Sequence, residues 1–117
     1  SIPSLRRKLD QLFSKWIRRR DADAQGYGRC YTCDKHRLLE AGHFVPRQHL
    51  ITRWIEHNVH GQCSHCNRWL HGNLFEYGRA LDSQYGSGRA ANLVGQKRSI
   101  WKPTRQDLLD LILKYSA

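Results

Sequence analysis

The stretch Glu40-Ala41-Gly42-His43-Phe44-Val45-Pro46-Arg47 is answered downstream by Asn58-Val59-His60-Gly61-Gln62-Cys63-Ser64-His65-Cys66-Asn67-Arg68-Trp69-Leu70-His71. In the first, a short apolar run delivers a histidine, and Pro46, which cannot donate to a strand ladder, stops it. In the second, an asparagine leads through a short strand to a Cys-x-x-Cys that opens a helix. Cys30-Tyr31-Thr32-Cys33 lies upstream, so the cysteines fall as C-x2-C, a gap of 29 residues, then C-x2-C. Two such pairs suit four thiolates on one tetrahedral zinc ion. A disulfide across so tight a loop is strained, which argues against a secreted, oxidised framework. Cys30, Cys33, Cys63 and Cys66 therefore read as a closed structural zinc set. It would tie the start of a hairpin to the helix behind it and hold His43, Asn58 and Asn67 close together.

Outward from this frame, residues 4–22 predict a helix. Leu5, Leu9, Leu12, Phe13, Trp16 and Ile17 recur at helical spacing, while Arg6, Arg7, Lys8, Lys15, Arg18, Arg19 and Arg20 take most of the other face. That basic face is either solvated or tracks phosphates. A loop spans 24–28 and a strand 37–45. The connection 47–57 carries Arg47, His49, Arg53, Trp54 and His57. A second strand covers 59–62, and the helix from Ser64 is expected to carry Cys66, Asn67, Leu70 and His71. Gly72 would end it. Asn73, with Glu76 three residues on, would cap the next helix, which buries Leu74, Tyr77 and Leu81. Another short helix is expected over 89–96, and Thr104 caps the last one. The class is α+β, mostly helical, in one domain of 117 residues. Residues 1–29 give a basic helix and loop, 30–73 the zinc-stapled core, and 74–117 C-terminal helices.

Lys and Arg number 20 against 10 Asp and Glu, a net charge of +10. Such an excess favours a polyanion, with DNA as the default partner. Arg18, Arg19, Arg20, Arg47, Arg53 and Arg68 are the candidate phosphate contacts, and the sequence does not choose among the last three as a clamp. No apolar run approaches the ~20 residues of a membrane span, and no signal peptide is visible. These features point to a reducing cytoplasm. The chain begins with Ser1 rather than Met, which leaves room for a preceding segment.

The register His-x-x-Pro, then Asn, then Cys-x-x-Cys-Asn resembles the HNH, or ββα-metal, endonucleases over residues 30–73. The fuller string from Ala41 to Asn73 resembles the lambda phage NinG (Rap) recombination proteins. It is most similar to the RecA-dependent recombination-enhancement nucleases of the Ref type. The resemblance implies a metal-dependent phosphodiester hydrolase in the bacterial host cell, cutting DNA within RecA filaments or D-loops. It implies His43 as general base, Asn58 as the residue that fixes the loop, and Asn67 as an oxygen ligand for a catalytic divalent ion, Mg²⁺ by preference. His71, four residues after Asn67, would be a second ligand and His60 a further candidate. Where many HNH motifs place an acidic ligand directly before the base, this chain has Gly42.

Histidine suits the base because its ordinary pKa near 6.5 lets it accept a proton at neutral pH. His36, His49, His57 and His65 read as surface or DNA-facing. The same residues allow a junction- or branch-specific nuclease, or a zinc module that binds DNA without cutting it. A pure protein-interaction domain would leave the charge and the His43 to Asn67 register unexplained. Oligomeric state is not legible.

Overall fold

The computed structural model describes residues 1–116. Helix α1 (Ile2–Asp21) begins earlier than the apolar stripe suggests. Ser1 and Ser4 form a reciprocal cap, and Pro3 occupies the first turn, where no intrahelical donor is needed. Leu9, Phe13 and Ile17, each four residues apart, are buried along one face. They meet Leu108, Ile112 and Tyr115 of α5 (Arg105–Tyr115), together with Trp54 and Val59. Phe13 and Trp16 present their rings to the edge of Tyr115 at 4.9 and 5.3 Å. Thr104 caps α5 as expected, with Asp107 answering from the third position.

Three antiparallel strands run in the order β1 (Tyr27–Arg29), β2 (His36–His43) and β3 (Val59–Cys63). The expected loop at 24–28 thus ends in a strand, because Tyr27 and Arg29 pair with Leu38 and His36. In the β2–β3 ladder Glu40 faces Gln62, Gly42 faces His60, and His43 faces Val59. Strand alternation places Glu40 and Gly42 on one side and Ala41 and His43 on the other. The connection between these strands holds one helical turn, α2 (Leu50–Arg53), and a 3₁₀ turn over Glu56–Asn58.

The helix expected after Ser64 is a single widened turn, His65–Trp69, in which the Leu70 amide reaches the His65 carbonyl at 2.9 Å. The chain then folds back through His71, Gly72 and Asn73, all with left-handed φ (51°, 95° and 49°). Gly72 carries this at least cost. Asn73 precedes α3 (Leu74–Tyr85) but does not cap it with its side chain, because its amide turns to the cysteine cluster. Helix α3 and α4 (Arg89–Gln96) close a second core of Phe44, Val45, Tyr77, Leu81 and Leu93. Among the described residues no helix is long and apolar enough to cross a membrane.

Candidate functional site

The sulfurs of Cys30, Cys33, Cys63 and Cys66 all lie within 4.8 Å of one another and could hold a metal ion. Cys33 and Cys63 stand 3.8 Å apart. Sulfurs ~2.3 Å from a tetrahedral zinc are separated by about 3.8 Å, so the spacing fits that ion. Backbone amides of Cys63 and Cys66 point at the sulfurs of Cys30 and Cys63 at 3.3 and 3.4 Å, and the Asn73 amide points at Cys66. Burial opposes ionisation of Cys30, but hydrogen bonds from Thr32 and the backbone hold its thiol down at about 6. Burial and the neighbouring Cys30 push Cys33 up to about 12.

His43 ends β2 beside a depression of about 180 Å³ lined by Asp10, Phe13, Ser14, Ala41 and Arg47. Its Nε2 lies 3.0 Å from the Arg53 carbonyl. A carbonyl only accepts, so Nε2 carries the proton of the neutral ring and Nδ1 keeps a free lone pair. Burial, with Arg47 and Arg53 nearby, lowers the pKa of His43 and keeps the ring neutral at pH 7.

Asn58 is fully buried and pins the loop that places Arg53. Its Oδ1 accepts from the Val45 amide at 2.8 Å, and its Nδ2 donates to the carbonyls of Val45 and Thr52, each at 3.1 Å. Asp10 fixes the same loop from α1. It receives Arg47 at 2.8 Å, Trp54 Nε1 at 3.0 Å, and both Nε and Nη2 of Arg53. Burial works against its charge, yet Arg53, Trp54 and Arg47 hold its carboxyl below the ordinary range.

Asn67 lies beyond the end of the cysteine pair and donates from Nδ2 to Glu40 at 2.9 Å. Its Oδ1 therefore points elsewhere, toward Gly42. The Glu40 carboxylate also receives Arg68, while Asn67 Oδ1 offers one oxygen ligand to a hard cation. His71 does not join it. The expected four-residue helical spacing is broken by the widened turn, and His71 sits exposed in the left-handed corner. His60 is also no ligand. Its two ring nitrogens meet the hydroxyls of Tyr77 and Tyr85 at 3.3 and 2.7 Å, and its face stacks on Tyr31 at 3.8 Å. His57 stacks on Tyr85 and accepts from Arg89.

The arginines divide by role. Arg18, Arg19 and Arg68 line a long groove between α1 and β2, with Lys15, Glu40 and Asn67. This groove adjoins the His43 depression across Ser14 and Ala41, which line both. Arg20 is a strut instead, donating to the carbonyls of Val59 and Glu56 and to Asp21. Arg53, with a side chain only 13% exposed, is committed to Asp10. Arg47 and Arg68 remain 61% and 71% exposed in their ion pairs with Asp10 and Glu40. Asp10 and Glu40 escaped the sequence reading. An acid in the middle of a seven-cation helix was the available signal for Asp10, and strand alternation from Gly42 was the signal for Glu40.

The family model described as Bacteriophage Lambda NinG protein matches residues 3–117. Neither a curated protein nor a solved structure matches the chain. The match runs through α1, the cysteine-stapled sheet and α5 alike, so the chain belongs to the family of the bacteriophage lambda NinG protein.

Proposed function

We propose that the protein is a divalent-metal-dependent endonuclease that hydrolyses DNA phosphodiester bonds during phage recombination. The observation that carries this reading is His43. Its Nε2 is held by the Arg53 carbonyl, its Nδ1 is bare, and it borders a depression that adjoins a basic groove. Nδ1 takes the proton of the attacking water as the water adds to phosphorus. Asn58 and Asp10 hold the loop whose carbonyl sets the ring's tautomer. Arg68 and Arg47 reach the non-bridging oxygens, and Arg18 and Arg19 track the strand along α1. When bound by Asn67 Oδ1 and the Glu40 carboxylate, a Mg²⁺ ion would neutralise the scissile phosphate and the developing 3′ alkoxide. The thiolate cluster, loaded with structural zinc, keeps these parts in register.

By resemblance to the Ref-type nucleases, the substrate is DNA within a RecA filament or D-loop. A second reading, a nuclease for branched DNA, draws on the side chains of Trp69 and Phe75. These are 77% and 76% exposed and follow Arg68 closely in the chain. Exposed aromatics beside cations suit unpaired bases. Incubation with linear duplex, a four-way junction and a RecA-coated D-loop, in Mg²⁺, separates the two. Cleavage of the D-loop only with RecA supports the first reading. Junction cleavage without RecA supports the second. Salt-sensitive binding with no cleavage of any substrate refutes both.

A further inference from the structure

Gly42 stands where a nuclease of the proposed kind is expected to carry a metal-binding side chain. The space is not empty. A Cβ built on Gly42 would meet Gln62 Oε1 at 1.9 Å and Asn67 Oδ1 at 3.1 Å. Gln62 comes from the neighbouring strand, one step diagonal to Gly42 in the ladder, and is fully buried. Its Nε2 donates to the Gly72 carbonyl at 2.8 Å and to Thr32 Oγ1 at 3.1 Å. Turning the amide over would set its oxygen against the Gly72 carbonyl, so the orientation is determined. Oε1 is then left buried with no hydrogen-bond partner among the described residues. Native interiors rarely leave such an atom unpaired, and each case asks for an unseen ligand.

We infer that Gln62 Oε1 is a cation ligand that takes the place of the side chain Gly42 lacks, completing an oxygen set with Asn67 Oδ1 and Glu40. The glycine is required because any side chain there would displace the Gln62 amide. The neutral amide also explains why Glu40 matters. It is the one carboxylate of the set, in ladder register with Gln62 and bonded to Asn67. The cysteine cluster enters as well. Thr32 lies between Cys30 and Cys33, and the Gly72 amide is held by the Cys66 carbonyl. Both groups that orient Gln62 are thus fixed by the zinc frame. Two amide oxygens that both flank Gly42, with a carboxylate in register, make an all-oxygen set of the kind a hard divalent ion takes.

This inference rests on the metal-dependent reading above, but its test does not use cleavage. Mn²⁺ is titrated by electron paramagnetic resonance into zinc-loaded full chain. The proteins are wild type, Gln62→Ala, Gly42→Asp/Gln62→Ala and Gly42→Leu/Gln62→Ala, with zinc content and circular dichroism checked for each. One Mn²⁺ site is expected in the wild type, with affinity reduced about tenfold or more in Gln62→Ala. The aspartate double variant should recover it, and the leucine double variant, which fills the space without an oxygen, should not. If Gln62→Ala fails to fold, the two double variants decide on the same criterion. Unchanged Mn²⁺ affinity in Gln62→Ala, or equal affinity in the two double variants, would overturn the assignment. So would the absence of a Mn²⁺ site in the wild type. A normal Mn²⁺ site without DNA cleavage would sink the nuclease reading and leave this one standing.

Discussion

Replacing Asn58 with alanine removes one acceptor and two donors from the interior at once. The Val45 amide loses its only side-chain acceptor and the Val45 carbonyl its side-chain donor, while the Thr52 carbonyl keeps the Ile55 amide. Val45 and Thr52 are themselves buried, so water does not readily replace the amide. A buried polar group left without a partner costs about 1–3 kcal/mol, and the amide N–H lies toward the upper end. The expected loss is about 3–5 kcal/mol, a large share of the 5–15 kcal/mol typical of a domain. For a chain of this size it corresponds to a fall in Tm of roughly 12–20 °C. Urea unfolding of wild type and Asn58→Ala, in excess zinc and with metal content measured, reads it directly. Asn58→Asp should be no better, because its carboxylate would face two carbonyls. A loss under about 1 kcal/mol would refute the view that Asn58 pins this loop.

Cys63→Ser should abolish stoichiometric zinc retention and with it cooperative thermal unfolding, read by metal analysis and calorimetry. His60 supplies a pH dependence. Burial, then Arg20, hold its pKa at about 3 in the folded protein against 6.5 ordinarily, so between those values only the unfolded chain binds the proton. Stability therefore falls as pH drops through that window, by about 2 kcal/mol from pH 6.5 to 5. His60→Gln should remove that slope in urea midpoints measured at constant zinc. Arg18→Ala and Arg19→Ala should each lower the slope of log affinity for DNA against log salt by about one, whereas Arg20→Ala should lower stability and leave the salt slope unchanged.

Leu9, Phe13 and Ile17 announced α1, and the cysteine spacing announced the four-cysteine cluster, because helical period and ligand spacing are local properties of a chain. His43 and Asn58 were singled out by the resemblance to the HNH register, and the loop that packs between them gives each a defined partner, Arg53 and Thr52. The His65–Trp69 turn was not. Its sequence has the composition of an ordinary helix start, and what widens it is the return of the chain to the cysteines. The Asn73 amide bonds to Cys66 Sγ and the Gly72 amide to the Cys66 carbonyl. That closure moved His71 off the expected helical face. Asp10 and Gln62 were hidden similarly. Each gains its meaning from partners 20 or more residues away, Arg53 for one and the neighbourhood of Gly42 for the other. Arg20 looked like its two neighbours, and only the placement of the Val59 carbonyl separates it from them.

The most direct measurement is cleavage of radiolabelled duplex and D-loop DNA in Mg²⁺ by zinc-loaded wild type and His43→Ala, with and without RecA and with EDTA controls. The account predicts endonucleolytic cleavage by the wild type that EDTA abolishes and that His43→Ala reduces by about 10²-fold or more, at equal DNA affinity and zinc content. Cleavage retained in full by His43→Ala, or none by the wild type on any substrate despite intact binding, would contradict it.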